Sequence, residues 1–273
     1  MSLDLLNAAL SGDRRALGRL ISVLVDSPSL RLLAEINRLV HGTHIIGITG
    51  PPGAGKSTLV DKLIAHHRGE GRRPGVVLVD PSSPFTGGAI LGDRVRMQAH
   101  SSDREVFIRS LATRGQLGGL ADGAERVLGA LDAVGFAPLF IETVGVGQSE
   151  LDVIDVADTV VVVLHPAWGD DVSAAKAGLI EAGDVFCVNK ADLLDPGRAV
   201  GEIERTLAMG VRDTWTPPVV TTSALSGEGL GGLIAAIESH RLHLQSIGEE
   251  ARRVRRPVPA RPVRPGRPPA GPP

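Results

Sequence analysis

The sequence contains no tyrosine, and aromatic residues make up only 3% of its 273 residues. Proteins that bind single-stranded nucleic acid without sequence preference use aromatic side chains as stacking platforms for the bases. The scarcity of such side chains therefore argues against a nucleic-acid partner.

Cysteine is almost absent as well, since Cys187 is the only one in the chain. A disulfide framework or a cysteine-rich metal site requires at least two cysteines, so both are excluded within one chain. Cys187 stands inside the apolar run 185–188, and this position predicts a small, buried hydrophobic residue. A single cysteine also favours a reducing compartment.

Long hydrophobic runs are missing. No apolar run approaches the roughly 18 residues that a membrane-spanning helix needs. The first residues include Asp4 and Asp13 and lack the apolar segment and cleavage site of a secretory signal. We therefore expect no membrane association and a cytoplasmic location.

Acidic residues are missing from the last part of the chain, where residues 251–273 contain seven arginines and many prolines. A segment of this composition cannot bury a core, and its prolines have no backbone N–H to pair. We predict a disordered Arg/Pro-rich tail over residues 248–273. The net charge of the whole chain is −2, so the part before the tail is acidic.

Seven short apolar runs alternate with helical patterns from residue 44 onward. The runs are rich in Val and Ile and do not alternate with polar residues, which is typical of strands buried on both faces of a mainly parallel sheet. This order predicts a doubly wound α/β fold in a domain over residues 42–247. Apolar residues at helical spacing in 1–41 predict an N-terminal helical extension. The seven runs are 44–49, 75–79, 105–109, 138–142, 158–165, 184–189 and 218–222.

A phosphate-binding loop follows the first of these runs. Residues 50–57 match G-x-x-x-x-G-K-[ST], and a helical pattern follows from Ser57. The backbone N–H groups of such a loop, together with the N-terminus of the next helix, cradle phosphates. Lys56 is predicted to reach the β- and γ-phosphates, and the Ser57 hydroxyl to bind Mg²⁺. The predicted nucleotide contacts here are Gly50, Pro51, Pro52, Gly53, Ala54, Gly55, Lys56, Ser57 and Thr58.

Two further segments point to guanine. Asn189-Lys190-Ala191-Asp192 follows an apolar strand and matches the N-K-x-D pattern of guanine-nucleotide proteins. A buried Asp192 carboxylate can accept hydrogen bonds from N1–H and the exocyclic amine of guanine, and adenine offers no such donor pair. Residues 223–225, which are Ser223, Ala224 and Leu225, follow the last strand, where guanine-binding proteins present a backbone amide to the base oxygen.

Carboxylates at strand ends predict a Mg²⁺ site beside the phosphates. Glu142 ends the run 138–142, in the place where most P-loop proteins have Asp. Asp80 ends the second strand, and Asp93 closes the Gly/Pro/Ser-rich loop that follows it. Arg96 could meet phosphate charge or be an ordinary surface cation. Gly145 could bring its N–H to the γ-phosphate, which makes 143–149 a candidate switch.

Together these segments resemble the MeaB/ArgK group of P-loop GTPases, the chaperones of methylmalonyl-CoA mutase and related adenosylcobalamin-dependent acyl-CoA mutases. The resemblance extends over about residues 1–245, and the strings at 79–84 and 142–150 are far more specific than a P-loop. The matching segments are 47–58, 79–84, 86–94, 96–97, 115–119, 142–150 and 189–192.

The resemblance implies a slow GTPase that uses GTP, GDP and Mg²⁺ and binds such a mutase. Its nucleotide state would gate loading of adenosylcobalamin from an adenosyltransferase and release of damaged cofactor. In this family Asp80, Asp93 and Glu142 would be the Mg²⁺-side carboxylates, and Arg96 lies in the same switch. With Lys56, the residues Asp93, Arg96 and Glu142 form the predicted catalytic set.

The chain departs from the family pattern in two places. Lys176 is followed by alanine in the segment 169–176, where the family usually carries two lysines in a switch that signals to the mutase. The Arg/Pro-rich tail replaces a helical arm that helps family members form a dimer, so a homodimer is one of the arrangements left open.

Two other functions remain as alternatives. A small-molecule kinase has a related P-loop, but most such kinases use ATP, which the N-K-x-D pattern disfavours. A nickel metallochaperone GTPase has a similar fold, but it needs Cys or His ligands near the switch or the N-terminus. Here Cys187 stands alone, and His66 and His67 are predicted to lie on an exposed helix end.

Overall fold

The computed structural model describes residues 2–80, 98–100, 102–112, 119–143, 156–167, 174–210 and 214–255. In these residues three helices precede the first strand, and most of the later strands are separated by helices. A short 3₁₀ turn at Gln98–His100 lies between the second and third strands, and the described residues contain no complete helix between the fourth and fifth. The helices are α1 Ser2–Leu10, α2 Arg14–Asp26, α3 Leu30–Leu39, α4 Lys56–Gly69, α5 Gly119–Ala133, α6 Ala174–Ala182, α7 Gly197–Met209 and α8 Leu230–Arg255. The strands are β1 Ile45–Thr49, β2 Gly75–Asp80, β3 Phe107–Ala112, β4 Leu139–Thr143, β5 Thr159–Leu164, β6 Val185–Val188 and β7 Val219–Thr221.

The strands form one sheet in the order β3-β2-β4-β1-β5-β6-β7, and every neighbouring pair is parallel. The predicted doubly wound α/β fold is therefore confirmed. The third strand lies later than the predicted run 105–109, because its pairing register sets Phe107 opposite Gly75, the first residue of β2.

Alternate residues of the strands enter two separate cores, one on each face of the sheet. On one face Val77, Leu139 and Val162 pack with α1–α3 and α5–α7. On the other face Ile48 and Val161 pack with the apolar sides of α4 and α8. Burial on both faces explains why the strands read as continuous apolar runs.

The N-terminal extension shares the first of these cores, since α2 and α3 pack directly on α5. Asp132, at the end of α5, joins the two parts. One carboxylate oxygen accepts the backbone N–H groups of His41, Gly42 and Thr43 at 3.0, 2.9 and 3.3 Å. The other oxygen accepts the Thr43 hydroxyl at 2.6 Å. Asp132 therefore caps the chain turn that leads from α3 into β1.

Replacing Asp132 with alanine is expected to lower the free energy of unfolding by about 3 kcal/mol, because partly buried backbone donors lose a charged acceptor. Chemical denaturation of the two proteins measures this difference. Asp195→Ala is the matched control. It removes an exposed carboxylate that accepts one backbone N–H, that of Gly197, and its effect should be well below that of Asp132→Ala. Equal effects of the two substitutions would contradict the capping role.

The C-terminal helix α8 has a break at the predicted start of the tail. The backbone breaks at Gly248, where φ is 75° and ψ is 170°, and helix resumes to Arg255. The predicted start of the tail, residue 248, lies at this break, and residues 249–255 have helical backbone. Residues 256–273 lie outside the described residues.

Cys187 is fully buried in β6, as predicted. Burial raises the pKa of its thiol to about 12, so the residue is an unreactive part of the core. Among the helices that the structure describes, none is long and apolar enough to cross a membrane.

Candidate nucleotide site

The polar segments predicted from the sequence meet along one edge of the sheet. Because all strands are parallel, their carboxyl ends lie side by side, and ligands of open α/β sheets bind at this edge. The loop after β1, Glu142 in β4, Asn189 after β6 and Thr222 after β7 all occupy it.

Glycines allow the loop 50–55 to pack against its neighbours. Gly50 has a φ of 134°, and a Cβ there would lie 2.0 Å from the carbonyl oxygen of Val163 in β5. Gly55 has a φ of 92°, and its Cβ would lie 2.3 Å from Nδ2 of Asn189. Any other residue would force the loop away from β5 or from the loop after β6.

Lys56, the first residue of α4, folds back over the loop. Its Nζ donates to the carbonyl oxygens of Gly50 at 2.6 Å and Pro51 at 3.0 Å, and the residue is buried. The ammonium group is thus held over the concave side of the loop, where the backbone amides of such a loop converge.

Ser57 and Glu142 form a hydrogen-bonded pair beside the phosphate loop. The Ser57 hydroxyl donates to Oε1 of Glu142 at 2.6 Å, and Glu142 is only 2% exposed. An oxygen cluster at the mouth of a phosphate loop fits Mg²⁺, which prefers oxygen ligands and few protein carboxylates. Asp80 is the last residue of β2 and follows Val79, which pairs with Thr143 of β4. The Asp80 backbone therefore lies at the same edge of the sheet. Asp93, Arg96 and Gly145 lie outside the described residues.

Asn189 connects three loops, a role that the sequence analysis did not assign. Its Nδ2 donates to the carbonyl oxygen of Ala54 at 2.8 Å. Its Oδ1 accepts the Thr222 hydroxyl at 3.1 Å and the Ala224 backbone N–H at 2.9 Å. The phosphate loop and the loop after β7 are therefore both held to one fully buried amide side chain.

Lys190 and Asp192 lie in the loop after β6, at the outer side of the site. Lys190 has a left-handed backbone, with a φ of 65°, and its Cε lies 3.9 Å from the Cβ position at Gly55. The expected burial of Asp192 is wrong for the protein alone: its side chain is exposed.

In the loop after β7, the amides of Ser223 and Ala224 donate to Glu228 and Asn189, so they hold the loop. Leu225 is exposed at the rim.

His165, which follows β5, was not among the residues predicted for the site. A cleft of about 310 Å³ runs between the phosphate loop and Lys190, and His165 and Pro166 form part of its wall. The signal was present, because β5 neighbours β1 in a parallel sheet and its carboxyl end must lie beside the loop. Pro52, Gly53, His165, Pro166, Lys190, Leu193 and Leu194 line the cleft.

A phosphate loop between β1 and α4, with an oxygen pair beside it and an N-K-x-D segment after β6, two strands away from β1 in the sheet, defines a P-loop protein of the guanine-nucleotide class. A sequence model of the family described as methylmalonyl Co-A mutase-associated GTPase MeaB matches residues 21–261. The chain belongs to this family.

Individual proteins agree with the family match. A Pyrococcus horikoshii protein with the name "Putative GTPase" is 48% identical over 262 residues, covering 92% of this chain and 82% of the relative. GTPase ArgK of Escherichia coli is 36% identical over 225 residues, covering 81% and 68%. The crystal structure of an LAO/AO transport system kinase superposes with a TM-score of 0.74 at 27% identity, covering 94% of this chain and 80% of that one.

Proposed function

We propose that the protein hydrolyses GTP and acts as a chaperone of an adenosylcobalamin-dependent acyl-CoA mutase of the methylmalonyl-CoA mutase type. Its nucleotide state would gate the loading of the cofactor, supplied by an adenosyltransferase, and its protection. The observation that carries the proposal is the Asn189 side chain, which joins the phosphate loop to the predicted base loops within a chain of the MeaB family.

The chain offers groups for each part of the hydrolysis. Lys56 would exchange its two loop carbonyls for β- and γ-phosphate oxygens and stabilise the charge that develops as water attacks the γ-phosphate. Ser57 and Glu142 would hold Mg²⁺, together with Asp80 and Asp93. When bound, this ion neutralises the charge between the β- and γ-phosphates. Arg96 and Gly145 are proposed as further phosphate contacts.

The base would lie in the cleft beside Lys190. The lysine's aliphatic stem can cover one face of the purine, and Asp192 would accept its two donors. Since the amides of Ser223 and Ala224 already donate within the protein, Leu225 is the member of the predicted trio best placed to offer its amide to the base oxygen.

The chaperone role is tested by capture of mutase subunits from the native lysate on the full chain. We expect recovery of a cobalamin-dependent mutase that differs between a non-hydrolysable GTP analogue and GDP. GTP binding with no mutase recovered in either state would leave the nucleotide function intact and contradict the proposed client.

The kinase alternative is separated by following the γ-phosphate of GTP. Hydrolysis releases all of it as inorganic phosphate, with or without added metabolites. Transfer of labelled phosphate to a metabolite would contradict the proposed reaction and favour the kinase alternative.

A further inference from the structure

A cluster of two histidines and a glutamate lies at the end of α4, far from the phosphate loop. His66 and His67 are in the last turn of the helix, and Glu70 caps it. A helix of 14 residues is about 20 Å long, so this cluster and Lys56 lie at opposite ends of it. The expectation that both histidines are exposed is wrong, because His67 is only 8% exposed and packs against Phe140.

The three side chains converge on one point. His66 Nε2 lies 3.4 Å from one oxygen of Glu70, and His67 Nδ1 lies 3.3 Å from the other. The three potential ligand atoms all lie within 4.8 Å of one another. Tetrahedral ligands at about 2.0–2.2 Å from a zinc ion are roughly 3.3–3.6 Å apart. Each histidine nitrogen lies at such a distance from one Glu70 oxygen, and small side-chain rotations would bring one atom of each residue to a shared ion.

The surroundings suit a cation with an open coordination position. The cluster forms one wall of a pocket of about 530 Å³ at the amino ends of β1 and β4, with an apolar floor that includes Ile46, Leu63 and Phe140. The carbonyl end of α4 adds partial negative charge. Three protein ligands beside an open cavity are the arrangement of zinc sites that also bind water or a small ligand.

Nearby cations do not block the site. Arg68 pairs with Asp103 and Arg241 with Glu238. Arg72 contacts Glu70 at 3.1 Å, but its side chain is 56% exposed and can withdraw, or remain as the outer hydrogen-bond partner that metal-ligating carboxylates usually have.

We propose that His66, His67 and Glu70 form a site for a divalent transition metal of the zinc type, with its remaining coordination position facing the pocket. The site is separate from the nucleotide site and does not depend on the proposed function. Histidine and carboxylate ligands in this number suit zinc better than magnesium or calcium, which take mainly oxygen.

The test is calorimetric titration of the full chain with Zn²⁺ in the presence of Mg²⁺ and GDP, so that the ligands of the nucleotide site are occupied. We expect one Zn²⁺ per chain. Glu70→Gln and His66→Gln should each weaken binding by at least about tenfold, since even outer contacts to metal ligands have effects of this size. His41→Gln, which changes an exposed histidine elsewhere, is the matched control and should bind as the unmodified protein does.

A second readout distinguishes this site from scattered binding to surface histidines. Cobalt in the same site should give the strong visible absorption of four-coordinate Co²⁺, and both variants should lose it. GDP affinity reports folding. The side chain of His66 is 36% exposed, so at least His66→Gln should retain the GDP affinity of the unmodified protein. The proposal is overturned if the unmodified chain binds no stoichiometric Zn²⁺, or if Zn²⁺ affinity is the same in all four proteins.

Discussion

Replacement of Lys56 by alanine is expected to reduce the rate of GTP hydrolysis by about 100- to 1,000-fold, the effect of removing one preorganised donor from developing phosphate charge. Lys56 is the residue whose ammonium group is held over the phosphate loop, by the carbonyls of Gly50 and Pro51. Its removal also takes two hydrogen bonds from the loop, so nucleotide affinity should fall as well. Release of inorganic phosphate in a single turnover, at nucleotide concentrations that saturate the variant, separates the two effects.

Lys62→Ala provides a matched control for this experiment. Lys62 lies in the same helix, between the phosphate loop and the proposed metal cluster, and the substitution removes the same charge from α4. Its hydrolysis rate should equal that of the unmodified protein. If Lys56→Ala hydrolysed GTP as fast as Lys62→Ala, Lys56 would have no part in the chemistry.

Local signals were sufficient to predict the strands and the phosphate loop. The parallel sheet followed from apolar runs such as 158–165, because a strand covered on both faces cannot alternate with polar residues. The loop followed from the match of residues 50–57 to G-x-x-x-x-G-K-[ST] directly after an apolar run. Both features depend on residues that are close together in the sequence.

Features that depend on distant residues were not predicted. Asn189 was read as part of a base-recognition pattern, whereas its amide joins loops that are 135 and 35 residues away along the chain. His67 was predicted to lie on an exposed helix end, but its ring packs against Phe140 of β4. A buried hydrogen bond of 2.7 Å joins Thr159 of β5 to His240 of α8, and the apolar pattern of the sequence did not predict it because both residues are polar.

Asp192→Asn is expected to change the base preference of the protein. The carboxylate accepts from both N1–H and the exocyclic amine of guanine in the proposed pose, whereas an asparagine accepts with one atom and donates with the other. With GDP, the variant loses one charge-assisted hydrogen bond, and the asparagine N–H group faces a donor of the guanine base. Together these changes should cost about 3 kcal/mol, or about 100-fold in GDP affinity. Xanthine has a carbonyl in place of the exocyclic amine, so the variant should bind xanthosine diphosphate more tightly than GDP.

The reversed preference for the two nucleotides, and not the lower GDP affinity alone, identifies Asp192 as the group that recognises the base. A damaged loop would weaken the binding of both nucleotides. Asp195→Asn is the matched control: it makes the same substitution three residues further on, in an exposed carboxylate that accepts from the Gly197 amide. It should keep the preference for GDP. Titration of each variant with GDP and with xanthosine diphosphate measures the ratio of the two affinities. An Asp192→Asn protein that still prefers GDP, as Asp195→Asn should, would mean that another group reads the base.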